Sequence, residues 1–310
     1  MTEDRRSPVE ESCISRLNFV VVGPQKAGTT WIDEVLRRHP DVALPSKTKE
    51  TFFFDQRYTK GLEWYWRHFE GSPLRQKDAT VGVFRVGEAA PSYFADERAR
   101  RRIASSQGSP KIIIALRDPV DRCYSLYRHH FLRGRMKGSF GEALKRYPEL
   151  IDSSRYRHFC ASWAADFGAA NVLLVNQAKI EDHAADIARS IFAFIGVRAL
   201  ELGDLNFRAN DQIQPASLAV ARSAAVLGRM MRRAGAHGLM NLLKKSPLYT
   251  LVAKGGKADA VPAATLGDRQ FLAHILADDV QWVGQFNETV AAPYPGTDPL
   301  PERAQPIARH

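Results

Sequence analysis

The chain has 310 residues, 45% of them hydrophobic and 25% charged, with 44 Lys and Arg against 34 Asp and Glu and a formal net charge of +10. This is the composition of a folded globular protein, and it excludes wholesale disorder, a collagen-like repeat and a coiled coil. The basic excess calls for an acidic partner, whether nucleic acid, an anionic membrane surface, a polyanionic glycan or a phosphorylated small molecule.

Residues 1–16 read as a mobile polar arm, and no apolar run approaches the roughly 18 residues needed to cross a bilayer. Cys13, Cys123 and Cys160 lie far apart with no CxxC pair, which excludes a disulfide framework and a cysteine-zinc module and fits a reducing compartment. A cytoplasmic location without signal peptide or transmembrane anchor is expected. Leu17 to Val22 is a short β-branched run ending in Gly23-Pro24, the pattern of a buried strand in a parallel sheet. Thr29 to His39 then places Trp31, Ile32, Val35 and Leu36 on one helical face before Pro40. Lys111 to Leu116 is a second buried-strand run. It leads through Arg117-Asp118-Pro119 into a helix predicted from Val120 to about Gly134, with Asp and Pro in favourable starting positions. A third strand is expected at Asn171 to Val175 and a helix over 182–195, striped by Ile187, Ile191, Phe194 and Ile195. Alternating strands and helices imply a largely parallel sheet covered on both faces, in a single domain over 17–292 with helical insertions. From Gln212 to Ala258 there is no acidic residue but eight basic ones, so the rest of the chain holds 36 basic against 34 acidic side chains. Glycines and Pro247 break this stretch into short helices and loops. A last helix is expected over about 266–289, and residues 293–310 as an irregular tail.

The chemistry gathers at Gly23-Pro24-Gln25-Lys26-Ala27-Gly28-Thr29-Thr30. A small-residue turn from strand to helix aims backbone N–H groups and the positive helix end at an anion; Lys26 adds a full charge, and Thr29 and Thr30 add hydroxyls. The turn departs from the nucleotide triphosphatase pattern GxxxxGK[ST], because Lys26 precedes Gly28 by two positions. Without further context, an ordinary turn with a surface lysine is the alternative.

The displaced lysine resembles the 5′-phosphosulfate loop of sulfotransferases that use 3′-phosphoadenosine 5′-phosphosulfate (PAPS). The likeness continues through His39-Pro40-Asp41-Val42, Lys49-Glu50-Thr51-Phe52-Phe53-Phe54-Asp55, Tyr58-Thr59-Lys60-Gly61-Leu62-Glu63-Trp64-Tyr65, Gly87-Glu88-Ala89-Ala90-Pro91-Ser92-Tyr93-Phe94 and Leu116-Arg117-Asp118-Pro119-Val120-Asp121-Arg122-Cys123-Tyr124-Ser125. In this order and spacing the segments are similar to the sulfotransferase domains of heparan sulfate modifying enzymes and their bacterial relatives, densely over about 17–131 and thinly afterwards. The resemblance implies an α/β, P-loop-like three-layer fold with a central, mostly parallel sheet flanked by helices. It implies PAPS as co-substrate, 3′,5′-ADP as product and no metal.

Residue by residue, the resemblance implies that Lys26, Ala27, Gly28, Thr29 and Thr30 hold the 5′-phosphosulfate, that Arg117 and Ser125 bind the 3′-phosphate, and that Glu50 is the catalytic base. His129, four residues after Ser125, matches a histidine near the acceptor in the N-sulfotransferase branch, which implies a catalytic role as a second acid/base or acceptor contact; the alternative is an ordinary helix-surface histidine. A late Lys-Gly loop over the 3′-phosphate matches Lys254 and Gly255, with Asn206 to Asn210 as a competing segment. The lysine that the glycosaminoglycan 3-O branch carries after its motif glutamate is Ala89 here. That departure favours a small or lipid-linked carbohydrate or a secondary-metabolite hydroxyl as acceptor. Two other readings compete. A small-molecule kinase with a variant phosphate loop lacks the GK[ST] hydroxyl for magnesium. A nucleic-acid or membrane-surface binder would rest on 212–258, which offers a possible peripheral membrane contact, but no nucleic-acid motif supports it and no nucleic-acid partner is expected.

Overall fold

The computed structural model describes residues 17–72, 84–106, 109–205 and 261–296. The basic stretch 212–258, with Lys254 and Gly255, lies outside them, as do the competing segment 206–210 and Cys13. The chain forms two compact units, one of 1–119, 153–209 and 278–310, the other of 120–152 and 210–277.

The first unit is built on a six-stranded sheet in the order β2-β3-β1-β4-β5-β6. The strands are β1 (Phe19–Gly23), β2 (Val42–Ala43), β3 (Arg85–Ala89), β4 (Lys111–Leu116), β5 (Val172–Asn176) and β6 (Ala291–Pro293). All neighbouring pairs are parallel except β5 and β6. β1, β4 and β5 are continuous apolar runs because they are covered on both faces. Alternate residues serve opposite layers. Phe19, Val21, Ile113, Ala115, Leu173 and Val175 pack with Trp31, Ile32, Val35 and Leu36 of α1 (Thr29–Arg37) and with Ile187, Ile191, Phe192 and Ile195 of the helix Ile180–Ile195. Val20, Val22, Ile112, Ile114 and Leu174 face a cluster with Phe53, Phe54, Tyr65, Tyr93, Tyr156 and Trp163. Each such Val, Leu or Phe contributes about 1.5–3 kcal/mol by leaving water. These three layers are the expected arrangement.

His39 closes the first βα unit from inside. It is fully buried, its Nδ1 accepts the Asp41 N–H at 3.1 Å, and its Nε2 lies 3.0 Å from the Arg198 carbonyl. This histidine is a structural bridge between the backbone of residues 41 and 198.

Three elements differ from the sequence-based expectation. β3 reads Arg-Val-Gly-Glu-Ala, with no apolar run, because Gly87 lies against the Phe19 ring, where a Cβ would come within 2.3 Å of it, and because Glu88 is itself buried. The expected helix over 266–289 is two helices, Leu266–Ile275 and Ala277–Gly284, separated at the non-helical Leu276. Asp279, in the first turn of the second, turns inward to accept the Arg157 N–H at 2.9 Å. Residue 293, expected as irregular tail, belongs to β6 on the sheet edge, where a proline without an N–H is tolerated.

In the second unit, α4 (Pro119–Leu132) carries Arg122, fully buried and donating to the Leu150 carbonyl at 3.1 Å, and Tyr127, whose hydroxyl donates to the Gly138 carbonyl at 2.7 Å. The helices Phe140–Arg146 and Leu266–Ile275 each start with a capping box, from Ser139 with Glu142 and from Thr265 with Asp268.

Candidate active site

The turn between β1 and α1 is held in a conformation few residues tolerate. Gly23 has φ 121° and lies so close to Pro91 that a Cβ would come within 2.8 Å of its Cα. Gly28 has φ 94°, and a Cβ there would meet Gln177 at 2.9 Å. Glycine is required at both places. Lys26 also stands in the left-handed region, at φ 71°, and the Arg117 guanidinium donates to its carbonyl at 2.9 Å. A strained lysine clamped by an arginine is typical of a functional turn. Gly28 then caps α1 without a side chain, and no acidic residue stands in the first helical turn, so no carboxylate there neutralises the positive helix end.

A cation from another loop reaches this helix end. Lys49 donates from Nζ to the hydroxyls of Thr29 and Thr30, each at 3.2 Å. Burial lowers its pKa, while Glu50 and Asp33 oppose that shift. Asp33 forms an ion pair with Arg37 at 2.9 Å, and Arg37 also donates to the carbonyls of Pro45 and Thr48 at 2.9 and 3.4 Å. The chain from 45 to 49 is thereby laced to α1.

Glu50 follows in this loop, half-buried, with the Thr48 hydroxyl donating to its carbonyl at 2.9 Å. On its other side the Thr51 N–H donates to Glu88 Oε1 at 2.5 Å. Tyr93 donates to Glu88 Oε2 at 3.3 Å, and its oxygen accepts the N–H groups of Phe53 and Phe54 at 3.0 and 3.3 Å. Phe52, between Thr51 and Phe53, is left-handed at φ 55°. Burial pushes the Glu88 carboxyl up to about 7, against the opposing hydrogen bonds from Thr51.

A carboxyl whose pKa stands above its unfolded value of 4.5 binds more protons folded than unfolded. It therefore makes stability fall as pH rises from 4.5 towards 7, by about 3 kcal/mol once that window is crossed. Glu88→Gln is accordingly expected to melt higher than the native chain at about pH 8, with the gain shrinking at acid pH; thermal melts across the range check this.

In the first unit Lys26, Ala27, Gly28, Thr29 and Thr30 stand in the turn after β1 and at the start of α1, Arg117 donates to the Lys26 carbonyl, and Glu50 follows the Lys49 that donates to Thr29 and Thr30. Ser125 and His129 lie on α4 in the second unit, Ser125 buried and His129 half-buried with its ring 5.4 Å from that of His130. Sequence reasoning assigned no role to Lys49 or Glu88, although both lie in quoted motifs. The signal for Lys49 was its place beside Glu50; that for Glu88 was a carboxylate inside what proves to be a central strand. Among the described residues no group of three or more His, Cys, Asp or Glu could hold a metal ion, and no helix is long and apolar enough to cross a membrane.

A mostly parallel sheet between two helical layers, with a glycine-turned, lysine-bearing loop at the end of its first strand, defines an α/β protein of the P-loop-like kind. The sequence model of the Sulfotransferase domain matches residues 17–227, and the chain belongs to the sulfotransferase family. It is 39% identical over 124 residues to the membrane-associated sulfotransferase kil1 of Dictyostelium discoideum, covering 40% of this chain and 25% of that protein. It is 30% identical over 207 residues to human bifunctional heparan sulfate N-deacetylase/N-sulfotransferase 3, covering 61% of this chain and 23% of that one. The chain spans about a quarter of the length of these curated relatives. Among solved structures, a sulfotransferase from Alicyclobacillus acidocaldarius superposes with a TM-score of 0.53 at 26% identity, covering 63% of this chain and 87% of that one.

Proposed function

We propose that the chain transfers a sulfuryl group from PAPS to a hydroxyl or amine of a carbohydrate, lipid-linked or secondary-metabolite acceptor. The observation that carries this reading is the Gly23–Gly28 turn, which bears Lys26 and runs into the uncapped start of α1, where Lys49 donates to Thr29 and Thr30, with Glu50 next in the loop. The donors at this turn, the Thr29 and Thr30 hydroxyls, the Lys49 ammonium and the backbone of an uncapped helix start, suit the phosphate and sulfate oxygens of PAPS.

PAPS, when bound, supplies the sulfuryl group and carries the leaving phosphate. Lys26, Thr29, Thr30 and the amides of Ala27 and Gly28 are the residues that hold its phosphosulfate end. Arg117 and Ser125, by family resemblance, hold the 3′-phosphate, with Lys254 and Gly255 as the late loop. Glu50 takes the acceptor proton on its carboxylate, and Lys26 stabilises charge at the leaving oxygen. His129 is a further acceptor contact. The named N-sulfotransferase relatives support a nitrogen or sugar acceptor, and Ala89 argues against one identical to that of the 3-O branch.

Lys49 acts with Lys26 as a second cation. Lys49→Met is expected to weaken 3′,5′-ADP binding about tenfold, the loss of one charge-assisted hydrogen bond, with Lys49→Arg recovering most of it. Calorimetric titration checks this.

The function itself is tested by supplying ³⁵S-labelled PAPS with a panel of sugar, lipid-linked and metabolite acceptors. Label on an acceptor oxygen or nitrogen is the expected result. Absence of transfer together with absence of nucleotide binding would remove the proposal.

A further inference from the structure

We infer that Glu88 is a positioning residue for the reaction, a buried carboxylate that fixes where the Glu50 loop stands. The inference rests on Glu50 being the base, and its own evidence is geometric. Glu88 sits in β3 in register with Val20 of the central strand and is fully buried. Placing a carboxylate there is unfavourable unless its oxygens are well used, and an apolar residue would satisfy the sheet better.

Both oxygens are spent on one loop. Oε1 takes the Thr51 N–H, one residue past Glu50. Oε2 takes the Tyr93 hydroxyl, whose oxygen in turn carries the N–H groups of Phe53 and Phe54. Three amides of the segment 51–54 therefore hang from one carboxylate and its tyrosine. On the near side, Lys49 and Arg37 tie the same loop to α1. Glu50 is strung between the two anchorages, and the Glu88 anchor is a carboxylate whose hold depends on its protonation.

The groups bearing on Glu88 are Thr51 and the hydroxyls of Tyr65 and Tyr93, all neutral; Asp55 bears on Tyr93. No arginine or lysine locks its charge among these. A neutral acid is a weaker acceptor for the Thr51 N–H than a carboxylate, so protonation slackens the hold on the loop. Burial brings that protonation close to neutral pH.

The test uses the full chain. The Thr51 amide is followed by ¹H–¹⁵N NMR while pH is varied about neutrality, and turnover is measured over the same range for the native chain, Glu88→Gln and Glu50→Gln. The Thr51 amide of the native chain is expected to titrate, and that of Glu88→Gln to stay flat. In Glu88→Gln, kcat is expected to fall about tenfold and to lose the acid limb due to Glu88, with PAPS KM and 3′,5′-ADP affinity within about twofold. A role confined to folding would change the melting temperature and leave the pH profile alone, and that result overturns the inference, as does a Thr51 amide that does not titrate. Should Glu88→Gln not fold, Tyr93→Phe, which frees Phe53 and Phe54 but keeps the Thr51 bond, is expected to lower kcat while Thr51 still titrates; unchanged kcat counts against the inference. If Glu50→Gln keeps full turnover, the base assignment fails instead, and the Thr51 titration still reports separately on the Glu88 anchor.

Discussion

Glu50→Gln is expected to reduce turnover by about 10³ while leaving 3′,5′-ADP affinity within about twofold, because general-base catalysis contributes on the order of 10²–10⁴. The separation follows from the geometry. Glu50 belongs to the loop fixed by Lys49 in front and Thr51 behind, and the amide replacement keeps its size, so the lacing of the loop to α1 and β3 survives. What disappears is the group that accepts a proton from the acceptor. Loss of nucleotide affinity in parallel would mean that the residue serves the donor cradle. Retained turnover would mean that another group removes the proton, and His129 would then be tested first.

Lys26 combines charge with strain, so its replacement needs two variants. Lys26→Ala removes the ammonium and leaves a Cβ in the left-handed conformation at φ 71°, whereas Lys26→Gly removes the charge and relieves the strain. Both are expected to lower turnover by about 10²–10³, the usual effect of deleting a donor aimed at developing charge. Nucleotide affinity should fall in both, and the glycine variant should melt no lower than the native chain. Arg117 donates to the carbonyl of residue 26, not to its side chain, so this clamp persists in either variant. Restored turnover in Lys26→Gly alone would assign the lysine's effect to backbone shape and not to charge.

Much of this architecture could be read from the chain because it rests on local pattern. The runs Phe19 to Val22, Ile112 to Leu116 and Val172 to Val175 in β1, β4 and β5 are apolar since both faces are covered, and α1 declares itself by Trp31, Ile32, Val35 and Leu36. The turn after β1 was equally legible as a turn, because glycines with forced conformations leave a local signature. β3 was not, for its two distinctive residues are explained only by partners distant in sequence: Gly87 by Phe19, Glu88 by Thr51 and Tyr93. β6 is three residues on an edge, identified by its pairing with β5 alone. The same reason hid Lys49, whose bonds to Thr29 and Thr30 cross about twenty residues of chain. Local spacing locates a glycine turn, whereas the anchors that position the 49–54 loop exist only once the sheet has assembled.

The central claim is that the turn after β1 holds a PAPS-type nucleotide. Calorimetric titration of the full chain with 3′,5′-ADP, beside magnesium-ATP and 5′-ADP, tests it most directly. The account predicts saturable binding of 3′,5′-ADP that is markedly tighter than that of the other two and is lost in Lys26→Ala. Binding of magnesium-ATP with no response to 3′,5′-ADP, or 3′,5′-ADP binding indifferent to Lys26, would contradict it.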